Sequence, residues 1–501
     1  MNLVELSERE IKRFGEHVSV IFEDRQWTNL EMRSASNRLA NALKALGVEK
    51  GDRVIIQMPN CPEVLQGFMA VYTIGAVVVP INFMVSEAET AFIYQDTGAG
   101  VIISSSDFLE KIEACRKKAP NIEHVILTDR DVPHGVLSYH QLLEQHSDEI
   151  SMVQTADDDL AALIYTAGTT GQPKGVMHTH YSLYVNAKMQ QDTLNLPSDM
   201  TSISVLPLCH SYGIASMNFG MYVGGGRTVV LNTFDIDTVF GAIEKYRANI
   251  MGAVPTMYVF MLLHPDPKKY DLSSMKYWIC GSAPLTLETW ERFRDTFGFE
   301  IIEGWGLTEA GANNSVNPLE GKKKVGSIGL PMKGTHMKVV DDQDRELPAN
   351  QEGEIIISGP MLMKGYWNRP EETEKVLKGG WLYTGDVGYK DEEGYFFITE
   401  RKKDLIIKAG ENIAPREIEE VIYSHPKVSE AAVVGVADEV YGEDIKAFVV
   451  LLPGQSATEE EIIEFCRERL KRFKSPKAVV FLDSLPKSLV GKILRKELRK
   501  M

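Results

Sequence analysis

Short apolar runs separated by amphipathic helical stretches are the feature that most restricts how this chain folds. DRVIIQM, GVIISS, EHVILT and RTVVLN alternate with stretches such as NLEMRSASNRLANALKAL. Strand-sized apolar runs need cover on both faces, and helices that connect parallel strands supply it. The expected class is therefore α/β. No repeat of fixed period and no low-complexity segment points to a solenoid. With 501 residues the chain exceeds the usual size of a single core, so at least two substructures, and a third beside them, are expected.

The texture changes along the chain. From about residue 320 to 400 the segments GSIGL, HMKVVDD, GEIIISG and GYFFIT, with DQDRE and DEEG between them, predict hairpins and a β-rich subdomain. A charged run, Glu400 to Asp404, then precedes roughly a hundred residues of mixed pattern, enough for a small α+β domain. The expected division is residues 1–402, parallel or mixed sheets covered by helices plus the β-rich part, followed by a mobile C-terminal domain, 403–501.

Charge and cysteines narrow the function classes. Fifty-four Lys and Arg against 70 Asp and Glu give a formal charge of −16, which repels phosphodiester backbones and argues against a nucleic-acid partner. The five cysteines are scattered and form neither CxxC nor a zinc-spaced cluster, which points to a reducing cytoplasm and no structural metal. The N-terminal MNLVELSEREIKRF lacks the apolar core of a signal peptide. Val64 to Ser86 carries no charge, yet Gln66, Gly67, Gly75, Pro80 and Asn82 interrupt it, so a buried helix followed by a buried strand is expected rather than a membrane span.

The most informative segment runs from Leu160 to Gly175, LAALIYTAGTTGQPKG, an apolar strand ending in a loop rich in Gly and Thr with one lysine. Glycines admit close backbone approach, threonines donate hydrogen bonds and Lys174 supplies charge, all of which suit phosphates. The loop is not a Walker A motif, since Pro173 and Gly175 stand where Gly and Ser or Thr are required.

At these residues the chain resembles the adenylate-forming superfamily of acyl-CoA synthetases, carrier-protein adenylation domains and luciferases, and especially its medium- and long-chain fatty acyl-CoA ligases. Seven blocks recur in the family's order: YTAGTTGQPKG from Tyr165, LPLCHSYG from Leu206, GSAPL from Gly281, EGWGLTEA from Glu303, YTGD from Tyr383, ERKKDLIIKAGENIAPREIE from Glu400 and PKSLVGKILR from Pro486. The resemblance implies a ligase that joins an acid to ATP as an acyl-adenylate and passes the acyl group to coenzyme A.

The resemblance also implies roles for particular residues. Thr166, Gly168, Thr169, Thr170, Gly171 and Lys174 would hold phosphates, Gly281, Ser282, Ala283, Pro284 and Gly306 would contact the cofactor, and Trp305 would stack on adenine. Asp386 would accept from the ribose hydroxyls, and Arg401 would contact ribose and phosphates. Thr308 reaches the α-phosphate, while Glu309 holds magnesium; a hard cation shared with phosphates needs only one or two protein carboxylates. Lys492 would bridge the acid and the α-phosphate, neutralising two anions that must meet. Without the resemblance it reads as one solvated lysine in a basic tail. Lys403 stands at the hinge, about which the last domain turns to withdraw Lys492 and bring Lys408 and Gly410 to a tunnel for the pantetheine thiol.

The acid is less constrained. Gly306 replaces the Trp that plugs the acetyl pocket, leaving room for a longer chain. From Pro207 to Phe234 no acidic residue awaits a substrate amine, so an amino acid is not expected. His210 resembles the residue at the mouth of the acyl site, although an isolated His also serves as a satisfied core residue. Medium- or long-chain fatty acids are expected, with aromatic or alicyclic acids, or delivery to a carrier protein, as alternatives; a non-catalytic acyl- or nucleotide-binding protein remains a further one. Ala167 replaces the family's usual Ser and removes a hydroxyl, a loss of about 0.5–1.5 kcal/mol for a neutral hydrogen bond. The basic C-terminal stretch is expected to be a solvated helix face, with attraction of CoA phosphates or a peripheral anionic membrane contact as alternatives, and the chain is expected to be a monomer or homodimer.

Overall fold

The computed structural model describes residues 2–166, 172–219, 225–402, 404–409, 411–438, 440–487 and 493–501. Among them, two large sheets dominate the first 330 residues. One is an eight-stranded sheet whose central strands, Arg53–Gln57, Val77–Pro80, Val101–Ser104 and His124–Leu127, run parallel. Its edge carries the antiparallel pair Leu160–Thr166 and Lys174–Thr179 and then Gly365–Tyr366. The other has nine strands, including the parallel set Thr201–Ser204, Ile250–Ala253, Tyr277–Cys280 and Ile301–Trp305.

Helices fill the space between the two sheets. Asn29–Ala45 starts at a capping box, in which Thr28 Oγ1 accepts from the Glu31 N–H and the Glu31 carboxylate accepts from the Thr28 N–H. Its Leu39 and Leu43 pack with Phe68 and Tyr72 of Pro62–Thr73 and with Val54 and Val20 from the facing sheets. Each such fully buried large side chain contributes about 1.5–3 kcal/mol. The uncharged run from Val64 resolves as expected into the buried helix Pro62–Thr73 and the buried strand Val77–Pro80. Among the described residues no helix is long and apolar enough to cross a membrane.

The β-rich part is an antiparallel sheet of His336–Val340, Gly353–Ser358, Leu377–Lys378, Trp381–Lys390 and Phe396–Arg401. Both expected turns are made by an aspartate: Asp341 accepts from the N–H groups of Gln343 and Arg345, and Asp391 from those of Glu393 and Tyr395. The C-terminal α+β unit folds the strands Ile406–Lys408, Glu411–Ile413, Val428–Asp438, Gly442–Leu451 and Ala478–Phe481 against the helices Pro415–Tyr423 and Glu459–Arg467. Ile406, Ile418, Ile422, Val433, Ile445 and Ile462 form a core of its own. The architecture is the α/β arrangement of a large N-terminal part and a small α+β part that the patterning predicts.

Candidate active site

The chain leaves the carboxyl ends of the parallel strands Thr201–Ser204, Tyr277–Cys280 and Ile301–Trp305 on one side of the nine-stranded sheet, where open α/β sheets bind ligands. A cavity of about 900 Å3 opens there, with Thr166, His210, Gly281, Ser282, Trp305, Gly306, Thr308, Glu309 and Arg401 on its walls. Ser282 has a φ of 72°, a left-handed conformation that a non-glycine residue adopts at a cost and that concentrates at functional sites. Thr166 and Lys174 face each other across the antiparallel pair Leu160–Thr166 and Lys174–Thr179, so both flank the root of the phosphate-type loop.

Three of the expected nucleotide residues are joined directly. Trp305 Nε1 donates to Asp386 Oδ2 at 3.0 Å, and Arg401 Nε lies 2.8 Å from Asp386 Oδ1. Asp386 is 1% exposed, and the Arg401 guanidinium matches its buried charge. Thr308 Oγ1 sits 2.9 Å from Ser211 Oγ. Glu309 Oε1 accepts from the Tyr366 hydroxyl at 2.9 Å, and among the described residues no ion pair involves Glu309. A cavity-lining carboxylate with one neutral donor fits a divalent ion shared with phosphates, and no group of three or more His, Cys, Asp or Glu side chains that could hold a metal occurs among the described residues.

One expectation changes. An added Cβ at Gly306 would lie 1.2 Å from the Ala312 carbonyl oxygen, so close backbone approach requires this glycine and its missing side chain does not point into open pocket space. Gly306 lines the cavity, but its identity reports the turn and carries no information on acyl length. Lys174, Ala283, Pro284 and Asp386 are not among the residues that line the cavity, and Lys174 forms an ion pair with Glu372. Lys408 lies in the strand Ile406–Lys408, ion-paired with Asp444 and 5.6 Å from the Tyr441 ring centroid, away from the cavity. Gly168, Thr169, Thr170 and Gly171, with Ala167, and also Lys403, Gly410 and Lys492 fall outside the described residues. The chain just beyond Lys492 does line the cavity, through Ile493, Leu494, Arg495 and Lys496. Arg499 anchors this segment on Asp404 at 2.9 Å and Arg495 anchors it on Glu419 at 2.8 Å.

Other residues at the site have no sequence signal. His178 is fully buried, which lowers its pKa to about 4 and keeps it neutral. Its Nε2 donates to the Thr308 carbonyl at 2.7 Å, pinning the backbone of the Thr-Glu pair. Glu303 accepts from the Gly326 N–H at 2.8 Å, and burial raises its carboxyl to about 7. Tyr366 belongs to MKGYWNRPEETEK, whose Gly, Asn and Pro announce a turn and a helix start but no phosphate chemistry.

A nucleotide-sized cavity beside the connected cluster of Trp305, Asp386 and Arg401 fits the class of adenylate-forming ligases. The chain belongs to that family: residues 7–367 match the family described as AMP-binding enzyme, and residues 417–492 match its C-terminal domain. It is 37% identical to the long-chain-fatty-acid–CoA ligase of Bacillus subtilis (strain 168), over 97% of this chain and 92% of that one. It is 36% identical to the feruloyl-CoA synthase of an Amycolatopsis species, over 94% and 93% of the two chains. Among solved structures, the anthranilate CoA ligase AuaEII in complex with anthranoyl-AMP superposes with a TM-score of 0.94 at 29% identity, covering 100% of this chain and 97% of the other. The protein is an ATP-dependent, AMP-forming ligase that activates an acid.

Proposed function

We propose that the protein is an acid:CoA ligase whose substrate is an aromatic or alicyclic carboxylic acid. The reaction joins the acid to MgATP as an acyl-adenylate with loss of pyrophosphate, then transfers the acyl group to the thiol of CoA with release of AMP. The observation that carries the substrate choice is the floor of the cavity. Ser202 and Ser204 of the strand Thr201–Ser204, with Thr228 beside Ser202, line it with hydroxyls, and Ser202 Oγ donates to Thr228 Oγ1 at 3.2 Å. A saturated chain laid over hydroxyls gains less than one laid over hydrocarbon. Ring-bearing acids with oxygen substituents suit such a floor, and similarity to the anthranilate and feruloyl enzymes supports the same choice.

A second reading keeps medium- or long-chain fatty acids. Apolar residues line the cavity as well, among them Leu194, Leu196, Met200, Met217 and Met332, and the Bacillus relative is a long-chain-fatty-acid–CoA ligase. ATP–pyrophosphate exchange with benzoate- and cinnamate-type acids, cyclohexanecarboxylate, octanoate, palmitate and acetate separates the two. Exchange is expected to be strongest with the ring acids; strong exchange with octanoate or palmitate and none with ring acids returns the choice to fatty acids.

In this reading Arg401 and Asp386 hold the ribose, Thr308 reaches the α-phosphate and Glu309 holds magnesium, whose charge offsets that of the phosphates. Ser282 and Trp305 flank adenine, and Thr166, Gly168, Thr169, Thr170, Gly171 and Lys174 face the phosphates. His210, on the cavity wall, stands beside the acid, and Lys492 brings its ammonium between the two reacting anions. The division at 402/403, with Lys403 as hinge, lets the C-terminal domain turn so that Lys408 and Gly410 replace Lys492 for thioester formation. CoA is the acceptor, and competition assays against acyl carrier proteins test that part.

A further inference from the structure

Lys174 and Glu309 belong to different motifs, yet one short segment touches both. Gly365–Tyr366 pairs with the strand that begins at Lys174, with Tyr366 opposite Val176. Tyr366 N donates to Thr373 Oγ1 at 2.9 Å, which ties Tyr366 to the helix Pro370–Val376 that carries Glu372. The Tyr366 ring lies beneath Lys174 Nζ, 5.0 Å from its centroid, and its hydroxyl donates to Glu309 Oε1 at 2.9 Å. Glu372 meanwhile ion-pairs with Lys174. The phosphate-loop lysine is thus held by a carboxylate that is not a substrate, and the cavity carboxylate is held by a neutral donor.

We propose that Tyr366 is a positioning residue that orients Glu309 for its divalent cation, and that Glu372 competes with the nucleotide's phosphates for Lys174. The chemistry of the contacts sets opposite consequences for the two residues. The Tyr366 hydroxyl, 2.9 Å from Glu309 Oε1, is a neutral donor and that carboxylate oxygen accepts from it. A single neutral donor fixes one carboxylate oxygen and leaves the remaining lone pairs to a cation. Glu372 is 27% exposed at its side chain against 16% for Lys174, so phosphate oxygens that reach Lys174 contend with an existing, partly solvated pair. The inference is independent of which acid is activated, but rests on assigning Lys174 to phosphate and Glu309 to the cation.

The test is calorimetric titration of the full chain with ATP, with and without Mg2+, for the wild type, Tyr366→Phe, Glu372→Gln and Glu309→Gln. Tyr366→Phe keeps the ring under Lys174 and is expected to lose about tenfold of the affinity that Mg2+ adds, the usual weight of one hydrogen bond to a charged group, with metal-free binding unchanged. Glu372→Gln is expected to tighten ATP severalfold with and without Mg2+, a direction that loss of structure would not produce. Retention of the full magnesium effect in Tyr366→Phe, or weaker ATP binding in Glu372→Gln, overturns the proposal. A magnesium effect that survives in Glu309→Gln overturns the assignment of Glu309 itself, and so distinguishes failure of the site reading from failure of the Tyr366 contact alone.

Discussion

Trp305 and Asp386 are joined by a hydrogen bond from the indole N–H to Oδ2 at 3.0 Å, although 81 residues separate them. The contact links the end of the strand Ile301–Trp305, in the large sheet, to Trp381–Lys390, in the β-rich part. Through Asp386 it extends to Arg401 at the junction with the C-terminal unit. A planar side chain proposed for adenine and a carboxylate proposed for ribose are thereby held in one geometry. Trp305→Phe keeps an aromatic face but removes the donor. Because a hydrogen bond to a charged group is worth about 1.5–3 kcal/mol, kcat/KM for ATP should fall about tenfold or more. Steady-state kinetics at saturating acid checks this, and an unchanged value would show that the bond has no part in nucleotide binding.

Lys492 precedes the segment Ile493–Lys496 that lines the cavity, and its assigned task belongs to the first half-reaction only. Lys492→Ala should slow adenylate formation by on the order of 100–1000-fold, as loss of a transition-state charge donor does, while sparing thioester formation from supplied acyl-adenylate. Equal loss in both half-reactions would remove the role.

The backbone around Gly306 leaves no room for a Cβ. With the Ala312 carbonyl oxygen 1.2 Å from any added Cβ, Gly306→Ala must displace the turn that carries Thr308 and Glu309. A loss of at least about 2 kcal/mol in stability, within the range for overpacking, and a collapse of activity toward every acid are expected. A variant with unaltered melting temperature and a shifted acid preference would restore the glycine as a gauge of acyl length.

Glu303 makes stability depend on pH in a defined window. Burial raises its folded pKa to about 7 from 4.5, so the folded state binds more protons than the unfolded state between those values. Its contribution is fully present below pH 4.5 and is lost as pH rises through 7. His178 and His180, both lowered by burial to about 4, act in the opposite direction between about pH 4 and 6.5, and equally in a Glu303 variant. Glu303→Gln should therefore match the wild type near pH 4.5 and exceed it by up to about 3 kcal/mol at pH 8, measured by chemical denaturation at both pH values. A pH-independent difference would show that Glu303 is not held protonated.

The legible part of the site consists of residues that act through local backbone. The strand that ends at Thr166, the turn after Trp305 and the hairpin at Asp391 each depend on neighbours within a few positions, and their Gly, Thr, Asp and Pro residues mark them. Tyr366, Glu372, His178 and Ser211 were not legible, because each acts on a partner far away in the chain: Tyr366 on Glu309, Glu372 on Lys174, and both His178 and Ser211 on Thr308. A lone Tyr, Glu, His or Ser carries no periodicity that names such a partner.

By itself the sequence determined the α/β class, the separation of a small C-terminal unit and the buried character of Val64–Ile81, since these follow from apolar period and turn chemistry within short windows, while the order of the nucleotide-type motifs came from resemblance to the family. Only the tertiary structure decided that Gly306 is demanded by the Ala312 carbonyl, that Lys174 rests on Glu372, and that Trp305, Asp386 and Arg401 form one connected cluster. The physical reason is that close packing and charge pairing act between atoms brought together by sheet register and helix packing. Residue type states what a side chain is able to do, and the fold states what it touches.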